Sequence, residues 1–219
     1  MFKGFLGLRV LRLNGNIMAG RLGPKMFAEM KSLEHPTFMS NQVSSVHVDT
    51  FSGLYALREL FVSLNPIRAL ETGTFKGLIS LRLLDLSFNR LTTVQRGLFG
   101  PDLSNLSERL SLKDNSISSI APMAFEHLKS LGDKLMLERN HLTVLQPTFG
   151  RTFAGLTNLT RLRLRENLLQ DVVSDTFLGL DASVTWNLTS TRSAGSPQKP
   201  SGAATLCGTY DCTRTKCLH

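Results

Sequence analysis

An asparagine that returns every 24 to 27 positions constrains this chain more than any other feature. It stands at Asn16, Asn41, Asn65, Asn89, Asn115, Asn140 and Asn167, with spacings of 25, 24, 24, 26, 25 and 27. Each copy ends the same apolar series. From Leu81 to Val94 the series reads LRLLDLSFNRLTTV, or L-x-x-L-x-L-x-x-N-x-L-x-x-V. Leu84 and Leu86 alternate with Asp85 and Ser87, which is strand patterning. The frame recurs as LRVLRLNGN (Leu8–Asn16), LRELFVSLN (Leu57–Asn65) and LTRLRLREN (Leu159–Asn167). With one residue added it recurs as LSERLSLKDN (Leu106–Asn115) and LGDKLMLERN (Leu131–Asn140). A degraded copy, LEHPTFMSN, puts Pro36 and Phe38 in leucine slots.

A second series keeps the same clock: Phe27, Phe51, Phe75, Phe99, Phe125, Phe153 and Phe177. Six of the seven are followed three residues on by an apolar residue (Met30, Leu54, Leu78, Leu128, Leu156, Leu180). The period extends past both ends of the clear copies. Phe2, Phe5 and Leu8 match F-x-x-L-x-x-L, and SVTWNL at 183–188 puts Trp186 and Leu188 in strand slots. The array therefore covers 1–188, about seven full repeats with partial ones at both ends. The segment 189–219 has no period, is rich in Ser, Thr, Gly, Ala and Pro, and reads as a disordered tail.

A unit this short cannot bury its own apolar face, but stacked units share one core, which is the logic of a solenoid. Each unit holds a short strand, a turn with the Asn and a return leg with the Phe. Parallel pairing of neighbouring strands gives one long sheet, and the bulkier return legs curve it so that the sheet is concave. At about 4.8 Å per strand the arc runs roughly 30–40 Å. The Asn amide offers both donor and acceptor to turn backbone that has no ladder partner, so the seven Asn form a structural column. The Phe series is a packed spine.

Spacing, Asn and Phe together resemble the leucine-rich repeat family in its typical, roughly 24-residue subclass. The resemblance implies an α/β solenoid, with a parallel sheet on the concave face and irregular or short helical convex legs. It also implies an extracellular setting, as in Toll-like receptor ectodomains or Slit-like guidance proteins. Members of that kind carry cysteine-rich caps. Here Cys207, Cys212 and Cys217 fall in the last 13 residues, and CGTYDCTRTKC lacks the C-x-C opening of the usual C-terminal cap. This points to a fragment.

Bulk properties narrow the partners. The net charge of +8 favours acidic partners. No run of about 18 apolar residues forms a membrane span. The start, MFKGFLGLRVL, is not read as a signal peptide, because Arg9 breaks its apolar run. The sequons at Asn105, Asn158 and Asn187 are possible glycosylation sites. No catalytic constellation, cofactor motif or metal site emerges. The five His sit at unrelated repeat positions, and C-x4-C-x4-C-x-H matches no usual zinc spacing.

Binding must then lie in the variable slots on the concave face. The slot between the two strand leucines reads Arg12, Thr37, Phe61, Asp85, Ser111, Met136, Arg163. The two slots before the Asn read Asn14, Met39, Ser63, Ser87, Lys113, Glu138, Arg165 and Gly15, Ser40, Leu64, Phe88, Asp114, Arg139, Glu166. Met39, Phe61, Leu64 and Phe88 are apolar where solvent is expected, on adjacent strands, with Asp85 among them. Arg161, Arg163 and Arg165 alternate along one strand and project to one face about 7 Å apart. Lys134 and Arg139 lie beside them. The reading is a non-enzymatic recognition module with an apolar centre and a basic flank. Its first candidate partner is a protein. An acidic glycan, as for a matrix-binding protein, and an intracellular scaffold role are the alternatives. Nucleic acid is not expected, and the oligomeric state is open.

Overall fold

The computed structural model describes residues 4–143, 152–169 and 180, with the backbone of 185–187 and 212–213. Short strands open each repeat: β1 (Val10–Arg12), β3 (His35–Thr37), β5 (Glu59–Phe61), β6 (Leu83–Asp85), β8 (Arg109–Ser111), β10 (Lys134–Met136), β11 (Arg161–Arg163) and β12 (Thr185–Asn187). They pair in parallel in that order, one repeat to the next. Among the described residues, β13 (Cys212–Thr213) closes the nine-stranded sheet by antiparallel pairing with β12. Apart from these two residues, the expected tail lies outside the described residues. Two lesser parallel ribbons follow the Asn turns, β2 (Ala19–Leu22) with β4 (Gln42–Val46), and β7 (Thr93–Val94) with β9 (Ser119–Ile120). The convex legs are irregular. Among the described residues their one helical piece is a 3-10 turn at Pro101–Leu103. That turn absorbs a residue inserted after Phe99 and delivers Leu103, fully buried, to the core.

The register explains the leucine period. Leu60, Leu84, Leu110, Leu135 and Leu162 stand beside one another across the sheet, and none has exposed surface. Trp186 continues the row beside Leu162. The degraded repeat shows what departing from the frame costs. Pro36 has no N–H to give the ladder, and β3 joins β5 through one register pair, Thr37 with Phe61. Phe38 fills its leucine slot completely buried, its ring 5.1 Å from Phe27. Behind the sheet, Phe27, Phe51, Phe75, Phe99, Phe125 and Phe153 stack ring on ring at 5.8–6.4 Å, within 13° of parallel. Phe177 lies outside the described residues.

From the second repeat on, each Asn in the described array is buried and ties its repeat to the one before. The Asn89 Nδ2 donates to Val62 O (3.1 Å) in the preceding repeat and to Leu86 O and Ser87 O (3.1 and 3.2 Å) in its own. Its Oδ1 accepts from the Ile67 N–H at 3.3 Å. Asn41, Asn65, Asn115 and Asn140 repeat this fourfold pattern. Asn167 likewise accepts from Leu142 N–H and donates to Leu137 O and Leu164 O. Asn16 is exposed and, among the described residues, bonds within its own turn. The column therefore reaches toward the N-terminus, not to both sides.

On the convex leg, Gly155 sits at φ +94°, and a Cβ there would come within 2.5 Å of Glu126 O. Both the left-handed backbone and the backbone clash exclude a side chain. Gly155→Ala should destabilise the chain by more than about 1 kcal/mol. Thermal denaturation checks this, and an unchanged midpoint would mean the two legs are not packed this closely.

Candidate functional site

In a parallel strand, residues on either side of an inward leucine share the opposite face. Of the middle slot expected on the concave face, Arg12 and Arg163 are exposed, Thr37, Phe61, Asp85 and Met136 are half-buried, and Ser111 is buried. A fourth column joins it, preceding the inward leucine: Val10, His35, Glu59, Leu83, Arg109, Lys134 and Arg161. The sequence frame had placed only Lys134 and Arg161 of these. The alternation that put Asp85 on this face puts Leu83 there too, and that was the available signal.

The slot two before the Asn is more enclosed than a binding column should be. Ser63, Ser87 and Glu138 are buried in it, Met39 and Lys113 are half-buried, and Arg165 is exposed. Asp85 is taken up locally, accepting from both the N–H and the hydroxyl of Ser87 at 2.9 and 2.6 Å. The slot next to the Asn is special for a backbone reason. Ser40, Leu64, Phe88, Asp114, Arg139 and Glu166 all have φ between +51° and +58°, and Gly15 has φ +64°. The left-handed turn ejects the side chain from the strand, so Leu64 and Phe88 remain over 40% exposed. Lys113 Nζ lies 5.5 Å above the Phe88 ring, where the π face attracts a cation. Met39, Phe61, Leu64 and Phe88 thus cluster at the N-terminal half of the face, with Leu83 as an addition.

The C-terminal half is charged, and each arginine of the triplet has an acid beside it. Arg161 donates to Asp133 at 3.0 Å, Arg163 lies 3.5 Å from Glu138, and Arg165 bonds Glu166. Arg139 bonds the other oxygen of Glu166 at 2.8 Å and approaches Asp114 at 3.6 Å. The hydrogen bonds from Arg165, then Arg139, hold the Glu166 carboxyl below the usual carboxylate range. Glu138 goes the other way. Burial pushes its carboxyl up, against its own backbone N–H, Arg163 and Lys113.

The sequons at Asn105 and Asn158 lie outside these columns, each just before the first leucine of its repeat. Asn105 Nδ2 donates to Ile79 O at 2.7 Å and Asn158 Nδ2 to Lys129 O at 2.8 Å. Both are exposed, and an amide nitrogen carrying a glycan keeps one hydrogen for such a bond. The Asn187 side chain lies outside the described residues. Among the described residues, no three His, Cys, Asp or Glu come together to hold a metal. No helix among them is long and apolar enough to cross a membrane.

Comparison with known proteins agrees with this geometry. The family model for the leucine rich repeat matches residues 37–91, 79–132 and 133–192. No curated protein matches the chain. Among solved structures it is similar to one in a TLR13–ssRNA13 complex, with a TM-score of 0.70 and 24% identity over 84% of this chain. It is also similar to one in an LRIM1/APL1C complex, with a TM-score of 0.60 and 23% identity over 68% of this chain. At that identity the likeness is one of fold. The chain spans 29% and 26% of the length of those two chains.

Proposed function

Because this chain belongs to the leucine-rich repeat family, we propose that it is a non-enzymatic recognition module that grips a protein partner with its concave sheet. The observation that carries this reading is the apolar cluster of Met39, Phe61, Leu64 and Phe88. A solvent-facing sheet in a repeat protein has no structural need of Leu64 and Phe88, and the left-handed turn holds both outward. Adjacent exposed apolar groups of this kind mark partner sites. The basic C-terminal flank supplies a polar rim, as interfaces generally have. A setting outside the cell, within a receptor-like ectodomain, belongs to the same proposal. It draws on the repeat subclass and on the likeness to the structures from the TLR13–ssRNA13 and LRIM1/APL1C complexes.

An acidic glycan is the weaker reading. It needs an uncompensated cationic stripe, and Arg161, Arg163 and Arg165 instead lie against Asp133, Glu138 and Glu166. Paired charges on a surface favour specificity over bulk attraction.

The test uses the chain as bait against a display library of secreted proteins, with two surface pairs substituted. Leu64→Asp with Phe88→Asp changes the concave cluster at positions whose left-handed backbone suits Asp. Tyr55→Asp with Ile79→Asp changes exposed apolar residues elsewhere. The expected result is binders whose affinity falls at least tenfold with the first pair and stays unchanged with the second. Binders indifferent to the first pair would move the site away from the apolar cluster, and those that are instead lost in high salt and on replacing the three arginines by Ala would put it on the basic flank.

A further inference from the structure

The charged half of the face contains a cavity of about 150 Å³, lined by Lys113, Glu138, Arg139, Arg163, Arg165 and Glu166. Four cations and two carboxylates leave this lining at +2 when all are ionised. Glu166 already engages Arg139 and Arg165. Glu138 is placed differently. Its side chain is 8% exposed, its Oε1 lies 3.5 Å from Arg163 Nη1, and its Oε2 has no hydrogen-bond partner among the described residues. A buried carboxylate with an unsatisfied oxygen is a poor structural element. It is a reasonable functional one, because it stands as a built-in counter-ion beneath cations that point into an open cavity.

We propose that this cavity takes a carboxylate of an acidic protein partner, and that its arrival draws one proton from solvent onto Glu138. The inference rests on the reading that the concave face binds a protein. An incoming carboxylate is a like charge next to Glu138, and like charges at one site raise the proton affinity of the more buried member. Burial has already raised it. Once Glu138 is neutral, Arg163 no longer compensates it, and its charge serves the ligand. The groups facing Glu138 are Lys113 and Asp114 from the β8 side, Arg163, Arg165 and Glu166 from the β11 side, and Arg139 from its own turn. Asp114 stays committed to Lys113 and Arg139 at 3.6 Å from each.

The probe is a fluorescein-labelled hexaglutamate peptide, titrated with the full chain between pH 5.5 and 7.5 at fixed low ionic strength. Over that range the peptide itself stays mostly ionised, free glutamate having a pKa of about 4.3. The wild-type affinity should rise as pH falls, approaching about tenfold per pH unit where one proton is taken up. Glu138→Gln should bind as tightly as the wild type at its most acid point, with no pH slope. Arg163→Ser should bind more weakly at every pH. Circular dichroism confirms that each variant is folded. Undetectable wild-type binding, a flat wild-type profile, a slope that survives Glu138→Gln, or indifference to Arg163→Ser each overturns the proposal. If partner capture still depends on Leu64 and Phe88 in that event, only the cavity is rejected. If that dependence is lost as well, the concave reading fails with it.

Discussion

Phe99→Ala should lower the stability of the array by about 3–5 kcal/mol, the range for emptying a fully buried aromatic site. Phe99 has no exposed surface and stacks on Phe75 at 6.3 Å and on Phe125 at 5.8 Å. Each stacked pair adds roughly 0.5–1.5 kcal/mol beyond area burial, so the upper half of the range is favoured. The cavity cannot collapse easily, because the rings on both sides belong to repeats fixed by their own ladders. In a solenoid each repeat contacts only its neighbours, so weakening one splits the cooperative unit. Urea denaturation should therefore show a lower midpoint and a broadened transition. Hydrogen exchange should speed up first around 75–125. A loss below about 1 kcal/mol would show that the Phe column fills space without holding the repeats together.

Asn89→Ala should cost about 1–3 kcal/mol. It leaves the Ile67 N–H without its acceptor and takes a donor from Val62 O and Leu86 O, all at the buried junction of two repeats. One buried unsatisfied group alone costs about 1–3 kcal/mol. All three carbonyls keep a second donor, Val62 O from Asn65 Nδ2, Leu86 O from Asn115 Nδ2 and Ser87 O from the Leu64 N–H, so the orphaned Ile67 N–H carries most of the cost. Asn16→Ala provides the control. Asn16 is exposed and, among the described residues, bonds to Leu13 O and Asn14 O, so its loss should stay within about 0.5 kcal/mol. Equal losses at the two positions, read from chemical denaturation, would contradict the account of the Asn column as a tie between repeats.

The scaffold was legible because its residues obey a period. Leu84 must face inward in every copy, so its spacing records the pitch of the stack, and Asn89 and Phe99 follow the same rule. The binding face is harder to read, since its slots carry no period. Alternation alone gave the columns of Asp85 and Ser87, and it could have given that of Leu83. What alternation cannot give is depth. Ser87 and Glu138 occupy one column with Lys113 and Arg165, yet the first two are buried while Lys113 is half-buried and Arg165 exposed. Depth depends on how long the neighbouring side chains are and where they fold down, which lies outside any single repeat. The arginine triplet shows the same limit. As a sequence it is a cationic stripe, but Asp133, Glu138 and Glu166 arrive from its own and adjoining turns and pair it.

By itself, the sequence determined that this chain is a stack of repeats with a leucine sheet, an Asn column and a Phe spine. Those features depend on short-range period, which a linear chain carries in full. Only the tertiary structure decided which way the Asn column reaches, why Phe88 stands clear of the sheet, and that Glu138 lies buried beneath a cationic cavity. Each of these depends on backbone handedness or on groups about 25 residues apart brought side by side, and neither is written in the spacing of residue types.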